Sequence, residues 1–272
     1  MCRWLCYTGS PVFADTLLFK PQYSLVEQSQ HAQRSIYTVN GDGFGLGWYG
    51  SRPWPGIYHD TQPAWNDDNF QNLAAQIRSH MILAHVRATS GTAIQRTNCH
   101  PFRYQHWLFQ HNGEIGGFDR LRRDLQLAIE PALFSQLRGT TDSETMLLLA
   151  ASFGLAQDPL RALERMVGLV ERTRRAHHIK DGLYMTVALT DGKRVFAVRY
   201  ASDRDAPSLY HSRNLHAIQE LGGKTEKLPD DGLLILSEPL DAVSEHWEKI
   251  PESTALVVEN GNVSQVSFKP EE

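Results

Sequence analysis

The pattern of apolar residues along this chain predicts an α+β fold in which sheets and helices form layers. Strand-like segments stand in both the N-terminal and the C-terminal parts of the 272 residues, and two apolar helical segments lie between them. Strand faces in both parts need helical cover, so we expect the helices to pack on the sheets. No repeat, low-complexity tract or long linker divides the sequence, and we therefore expect one domain spanning residues 1–272.

The first fifty residues predict two strands and a short helix. Residues 1–8 mix apolar and aromatic side chains with little charge, which indicates a buried strand that ends in a turn at Gly9-Ser10-Pro11. Residues 24–27 fit a capping box that opens a short helix. Residues 43–49, with the sequence GFGLGWY, predict a glycine-rich strand that another segment or a ligand approaches closely.

The next segment predicts a helix followed by two strands. Apolar residues recur at helical spacing between positions 66 and 79, and the run MILAHV at 81–86 is typical of a buried strand. Residues 107–110 predict another strand, which ends at His111-Asn112-Gly113.

The C-terminal half predicts two helices and then strands. Residues 141–144 form a capping box that opens an apolar helix to position 155, and Asp158-Pro159 begins a second helix with one apolar face. The remaining strands are predicted at 183–189, 194–200, 233–236 and, as a hairpin around Asn260-Gly261, at 256–268.

Composition excludes several classes of function. The 27 basic against 31 acidic residues give a formal net charge of -4, so we expect no nucleic-acid partner. No stretch approaches the roughly 20 apolar residues that cross a bilayer, and the N-terminus MCRWLCYTG is too short and polar for a signal peptide. We therefore expect no membrane partner and a cytoplasmic location. The three cysteines form no disulfide framework, and the scattered histidines predict no metal site.

Cys2 carries the most specific chemistry in the sequence. Removal of Met1 would leave a thiol and a free α-amino group on the same residue. The amine titrates near pKa ~7.7 to 8.0 and a free thiol near ~8.5, so the amine can accept the thiol proton around neutral pH. Taken alone, a cysteine at this position is more often a small apolar residue that simply packs.

Arg87 lies at the predicted end of the strand at 81–86. An arginine there suits a bidentate clamp on a carboxylate, since its planar fork offers parallel N–H donors. Thr89, two residues on, could add a hydroxyl donor. The alternative is a surface arginine paired with an acid, with Thr89 capping the following turn.

The segment His111-Asn112-Gly113 offers two donors to one oxygen. The Asn112 side-chain amide and the Gly113 backbone N–H form the pair that an oxyanion hole requires. Asn-Gly between apolar runs is also a strong hairpin-turn signal, and by itself the turn is the more common explanation.

Three other positions have a functional and a structural explanation. Asp142 either pairs with a substrate ammonium or interacts with the dipole of the helix that it opens. Asp42, in a glycine-rich turn, either reaches a site or makes an Asx turn. Cys99-His100 is the weakest candidate for a catalytic pair, because residues adjacent in sequence rarely face each other.

In this order, Cys2, residues 85–89, 111–113 and 141–144 resemble the class II glutamine amidotransferases of the N-terminal-nucleophile hydrolase superfamily. The sequences MCRWL, NGDGFG and NCHPF further look like the stand-alone bacterial branch, similar to the amidohydrolases of ergothioneine synthesis and of glutathione breakdown. The resemblance covers most of residues 1–200 and fades in the C-terminal strands.

The resemblance implies a four-layer αββα sandwich and an enzyme without metal or organic cofactor. The substrate it implies is L-glutamine or a γ-glutamyl amide, cleaved through a γ-glutamyl thioester that water hydrolyses to glutamate. The matched positions are the nucleophile Cys2, the oxyanion-hole residues Asn112 and Gly113, the α-carboxylate clamp Arg87 with its supporting contact Thr89, and the α-ammonium partner Asp142.

The larger members of this family carry a synthase domain that consumes the ammonia, and no such domain is expected in this chain. Ammonia would then need a separate synthase partner, or the leaving group is not ammonia. Two alternatives therefore stay open beside glutamine hydrolysis. One is a γ-glutamyl peptide hydrolase, and the other is a non-catalytic glutamine-binding subunit.

Overall fold

The computed structural model describes residues 2–30, 39–89, 91–203, 205–215 and 228–271. Within these ranges two antiparallel sheets stack face to face, and helices cover the outer face of each. The order of layers is helix, sheet, sheet, helix. The predicted αββα sandwich is therefore confirmed.

Each predicted strand is present and several are longer than the sequence suggested, whereas the strands at 56–60, 102–104, 210–212 and 247–249 were not predicted. In chain order they are β1 Arg3–Phe13, β2 Phe44–Trp48, β3 Gly56–Asp60, β4 Arg78–Val86, β5 Phe102–Tyr104, β6 Trp107–Ile115, β7 Leu183–Thr190, β8 Arg194–Ala201, β9 Tyr210–Ser212, β10 Leu233–Leu236, β11 Trp247–Lys249, β12 Thr254–Glu259 and β13 Asn262–Ser267. In the described ranges the first sheet has the order β11-β9-β10-β1-β4-β2-β3, and the second β13-β12-β8-β7-β6-β5.

The α-helices divide between the two outer layers. They are α1 Ala14–Leu18, α2 Leu25–Gln30, α3 Asp68–Ala74, α4 Phe118–Leu127, α5 Pro131–Phe134, α6 Asp142–Ser152 and α7 Pro159–Ala176. The first three pack on the first sheet and the last four on the second. No helix among the described residues is long and apolar enough to span a membrane.

Side chains of the central strands point alternately to the two faces of the sheet, and this alternation decides which of them lie between the sheets. On β1, Trp4 and Cys6 belong to the core between the sheets, whereas Leu5 and Tyr7 pack under the first helical layer. Successive side chains of a strand point to opposite faces, so Cys2 has the same orientation as Trp4. On β6, Leu108 belongs to the inter-sheet core. Gln110 and Asn112, two and four residues further along the strand, therefore face the same gap.

Two expected turns are continuous strand. Strand β1 runs through Gly9-Ser10-Pro11, where its register against β4 shifts between Thr8 and Val12. His111-Asn112-Gly113 lies inside β6 and is paired with β7 from Val187 to Met185. The long-range pairing with β7 supplies the hydrogen bonds that a local hairpin would otherwise have provided. The turn explanation for Asn112-Gly113 is therefore wrong.

Candidate active site

The predicted nucleophile lies at one end of the first sheet, beside Arg87. Arg3 of β1 and Phe44 of β2 are both paired with Val86 of β4. One residue further along, the Arg87 N–H donates to the Gly43 carbonyl at 2.8 Å, and the Cys2 thiol lies 3.5 Å from the Ala88 carbonyl oxygen. Cys2 and Arg87 therefore lie on neighbouring segments at the same end of the sheet.

Burial controls the acidity of the Cys2 thiol. Burial raises its pKa, and the positive charges of Arg87 and Arg3 oppose that rise. Arg3 also donates to the Cys2 carbonyl at 2.8 Å and forms a buried ion pair with Glu238 at 2.6 Å. These contacts fix the backbone that carries the thiol. Met1, whose removal would expose the α-amine, lies outside the described residues.

The Arg87 side chain is buried and held by hydroxyl and carbonyl oxygens. Its guanidinium donates to the hydroxyls of Thr89 at 3.2 Å and Thr92 at 2.5 Å, and to the Asp42 carbonyl at 3.3 Å. The Asp42 carboxylate accepts from the Thr89 N–H at 2.8 Å. The expectation of a surface arginine paired with an acid is wrong. The described contacts leave Arg87 a positive charge to offer to a ligand.

Asn112 faces the gap between the sheets with an unused acceptor. The residue is buried, and its side-chain oxygen has no hydrogen-bond partner in the described structure. The next residue, Gly113, has a φ of +142°, a conformation that side-chain-bearing residues rarely adopt. A buried amide oxygen without a partner is costly and indicates a site where a donor from a ligand completes the hydrogen bonding, whereas an oxyanion would be bound by the amide N–H.

Asp142 begins α6, at the end of the second sheet. Its carboxylate accepts from the Ile115 N–H at 2.9 Å and from the Ser143 N–H at 2.7 Å. The helix is capped by the Thr141 hydroxyl, which accepts from the Glu144 N–H at 3.2 Å, so the predicted N-terminal cap is present. Asp142 is thus tied to the end of the strand that contains Asn112.

A row of imidazoles, buried at His85 and His100 and half-buried at His59, lies beside these residues, and sequence reasoning missed it. His59, Gly45 and His85 stand side by side on β3, β2 and β4, in register with Trp4 of β1. Gly45 has no side chain, and its space is filled by the His100 backbone. The His100 ring stacks on His85 with centroids 4.1 Å apart.

Burial keeps these imidazoles neutral. It lowers the pKa of His59 to about 4 and that of His85 to about 3, and it lowers the pKa of His100 well below its ordinary value. His85 Nε2 lies 3.2 Å from the His111 carbonyl, so it carries the proton of the neutral ring and donates. This bond joins the first sheet to the residue that precedes Asn112.

Cys99 and His100 do not form a catalytic pair. The Cys99 thiol contacts the carbonyl oxygens of Asp60 and Gln95, and neither nitrogen of His100 has a partner in the described structure. Burial raises the pKa of the Cys99 thiol to about 11, which is unsuited to a nucleophile. Among the described residues no cluster of three or more His, Cys, Asp or Glu is arranged to hold a metal ion.

The model of the class-II glutamine amidotransferases matches residues 22–272 of this chain. The chain belongs to that family. It is 29% identical to a probable glutamine amidotransferase, DUG3, of Saccharomyces cerevisiae, over 97% of this chain and 83% of the yeast protein. It is 28% identical to the gamma-glutamyl-hercynylcysteine sulfoxide hydrolase of Mycolicibacterium smegmatis, over 97% and 98% of the two chains.

Solved structures agree with this assignment. A glutamine aminotransferase class-II domain protein from Silicibacter pomeroyi is 31% identical, with a TM-score of 0.77 over 99% of this chain and 100% of that one. The glutamine phosphoribosylpyrophosphate amidotransferase of B. subtilis shares the fold at 13% identity, with a TM-score of 0.66, and this chain spans 50% of its length. The predicted family, the sandwich fold and the class of amide-cleaving enzyme are confirmed for this class-II amidotransferase.

Proposed function

We propose that this class-II amidotransferase is a Cys2-dependent amidohydrolase that cleaves the γ-carboxamide of L-glutamine or of a γ-glutamyl amide. The observation that carries the proposal is the position of Cys2, which lies beside buried Arg87 and faces the same inter-sheet gap as Asn112. Cleavage of a side-chain amide requires a nucleophile to attack the carbonyl carbon, a donor to stabilise the oxyanion and a charged group to hold the substrate. Cys2, Asn112 and Arg87 are of these three kinds.

Substrate binding is assigned to the two charged groups and their supports. Arg87 binds the α-carboxylate through its planar fork, with Thr89 beside it, and Asp142 binds the α-ammonium. Since the Asp142 carboxylate is fixed by two backbone N–H donors, it keeps one orientation. A pocket that holds both α-groups selects an L-amino acid and presents its γ-carbonyl to Cys2.

The first chemical step forms a thioester. Burial raises the pKa of the Cys2 thiol, so a base is needed, and the α-amine exposed by loss of Met1 takes the thiol proton. The sulfur–carbon bond forms at the γ-carbonyl while the Asn112 amide and the Gly113 N–H stabilise the oxyanion. The carbon–nitrogen bond then breaks, and the ammonium of Cys2 returns its proton to the leaving nitrogen.

The second step releases glutamate. The α-amine takes a proton from water, the water oxygen attacks the thioester, and the sulfur leaves with the proton that the amine carried. The same oxyanion donors serve both steps. The chain is proposed to act as one domain, with a separate partner where the ammonia is used.

A γ-glutamyl amide larger than glutamine is a second candidate substrate. A relative that matches nearly the full length of both chains is named for hydrolysis of a γ-glutamyl compound. The yeast relative is named as a probable glutamine amidotransferase. A γ-glutamyl peptide and L-glutamine share the α-groups and the γ-carbonyl, so the two substrates differ only in the leaving amine.

The test compares glutamate release from L-glutamine and from a γ-glutamyl dipeptide, using protein that mass spectrometry shows to begin at Cys2. We expect Cys2→Ala to abolish release from whichever substrate is cleaved. Cys99→Ala is the matched control, since Cys99 is a second free thiol near Arg87, and it should keep activity. Full activity in Cys2→Ala would refute the proposal. Substrate binding without turnover in the wild type would favour the non-catalytic alternative.

A further inference from the structure

A cavity of about 810 Å³, separate from the six predicted site residues, is lined in part by the loop that precedes β5. Its walls come from β3, from the segment around β5, from the chain that leads into α6 and from the first two turns of α6. None of the six predicted site residues lines it. The lining residues used below are Trp54, Phe102, Arg96, Arg103, Arg138 and Glu144.

Three arginines give this cavity a positive character in a chain whose net charge is -4. Arg96 is paired with Asp60 at 2.7 Å. Arg103 and Arg138 are exposed, and neither forms an ion pair within the described part of the chain. Arg103 therefore has no carboxylate in ion-pair contact, and Arg138 has only the nearby Glu144 charge within the described part of the chain.

The one acidic side chain of the lining offsets only part of this charge. Buried Glu144 accepts from the Arg138 N–H at 2.9 Å and from the Gly139 N–H at 2.6 Å, and its carboxylate also interacts with the Arg138 charge. Three arginines against one glutamate leave the lining with an excess of positive charge. Burial also raises the pKa of this carboxyl group. The local excess of positive charge suits an anion.

The apolar part of the lining suits a flat group. Trp54 is 56% exposed, which is unusual for the largest aromatic side chain, and Phe102 lies deeper in the same cavity. Exposed aromatic rings are preferred contacts for planar ligands, and arginine adds a stacking surface. A volume of this size is in the range of small-molecule sites.

Buried Asn98 fixes the loop that lies between β4 and β5. Asn98 is fully buried, donates to the Ala93 carbonyl at 2.9 Å and to the Thr140 hydroxyl at 3.0 Å, and accepts from the Thr140 N–H at 2.8 Å. This residue ties the loop before β5 to the segment that leads to Asp142. Since none of the six predicted site residues lines the cavity, a molecule bound there does not occupy the place proposed for the γ-glutamyl group.

We propose that this cavity is a second binding site, for a planar organic anion that carries a phosphate or carboxylate group on a ring system. The anionic group lies against Arg103 and Arg138, and the ring lies against Trp54. This inference does not depend on the proposed function, since the two sites share none of these residues.

Calorimetric titration tests the proposal with probes that separate charge from ring. Adenosine monophosphate and phthalate carry both features with different anionic groups, inorganic phosphate carries charge alone, and adenosine carries the ring alone. We expect adenosine monophosphate or phthalate to bind with a Kd below about 1 mM and at least about tenfold more tightly than phosphate or adenosine. The better of the two identifies the anionic group.

Variants assign the binding to this cavity. Arg103→Gln and Arg138→Gln should each weaken binding about tenfold, because each removes a charge-assisted hydrogen bond. Trp54→Ala should weaken binding of the ring-bearing anion until its Kd is similar to that of inorganic phosphate. Arg123→Gln, on the exposed surface of α4, is the matched control and should leave the Kd unchanged.

Cys2→Ala should bind the same probe equally well, and saturating glutamate should not displace it. Failure of both ring-bearing anions to bind would overturn the proposal. Binding that is insensitive to the arginine variants, or that glutamate displaces, would also overturn it. Loss of glutamate release alone, with probe binding intact, would count against the proposed function and leave this site in place.

Discussion

Trp4 donates from its indole N–H to the Thr186 hydroxyl at 3.2 Å, across the gap between the two sheets. Thr186 is paired with Asn112 in the second sheet and its hydroxyl lies 3.4 Å from the Asn112 carbonyl. Trp4 is two residues from Cys2. A short chain of hydrogen bonds thus connects the strand of the nucleophile to the strand of the oxyanion donor, and the separation of the sheets fixes how far apart the two groups stand.

Asn112→Ala should reduce kcat by about 100-fold or more. The buried amide is the proposed donor to the oxyanion, and loss of one such donor typically costs about 2.7 to 4 kcal/mol of the barrier. KM should change little, since the α-groups are bound elsewhere. Steady-state glutamate release measures both constants, and a kcat within a few-fold of the wild type would return Asn112 to a purely structural role.

Arg87→Lys should raise KM for the cleaved substrate and leave kcat comparatively unaffected. A lysine keeps the charge but loses the planar fork, which can hold a carboxylate with two parallel bonds. The Thr89 and Thr92 hydroxyls would also lose the hydrogen bonds that they accept from the Arg87 guanidinium. Substrate-saturation curves check this prediction, and an unchanged KM would refute the clamp.

Gly113→Ala should destabilise the protein and abolish activity together. A Cβ at this position would lie 1.9 Å from the Tyr184 carbonyl oxygen, and the φ of +142° is one that alanine rarely adopts. We expect a loss of at least about 1 to 3 kcal/mol in the free energy of unfolding. Denaturant unfolding provides the measurement, with Gly50→Ala as control because nothing lies within 4 Å of its added Cβ. Equal stability of the two variants would show that the backbone around Gly113 has room for a side chain, and would contradict this prediction.

Local chemistry was enough to single out Cys2 as a candidate nucleophile, because a thiol and a prospective α-amine on one residue require no partner from elsewhere in the chain, but taken alone it still favoured a cysteine that packs. The strand that contains Cys2 and the strand at 81–86 were likewise predicted from local sequence, because their apolar content is sufficient to indicate a buried strand. Asn112-Gly113 was different, since its local signal is identical for a turn and for a strand. Only the pairing with β7 decides between the two, and that pairing joins residues more than 70 positions apart.

The imidazole row shows the same limit more strongly. His59, His85 and His100 are scattered among the twelve histidines of the sequence, and no spacing rule groups them. The registers of β2, β3 and β4 bring His59 and His85 together, and the missing side chain of Gly45 makes room for His100. Such a cluster follows from strand pairing and cannot be obtained from the order of residues.

This row predicts a steep loss of stability on acidification. Burial lowers the pKa of His59 to about 4 and of His85 to about 3, whereas both titrate near 6.5 in the unfolded chain. Between these values the unfolded state binds more protons than the folded state, so the free energy of unfolding rises with pH. Stability is therefore fully present above about pH 6.5 and falls progressively towards pH 4.

The expected slope is up to about 1.4 kcal/mol per pH unit for each buried histidine. His85→Gln should reduce the measured slope by about that amount between pH 6 and pH 4.5, because glutamine still offers an N–H to the His111 carbonyl but does not titrate. His59→Gln provides an independent test should the first variant fold poorly. His178→Asn, at an exposed position, should leave the slope unchanged. Urea unfolding across this range measures all four proteins, and identical slopes would show that the imidazoles are not held neutral by the fold.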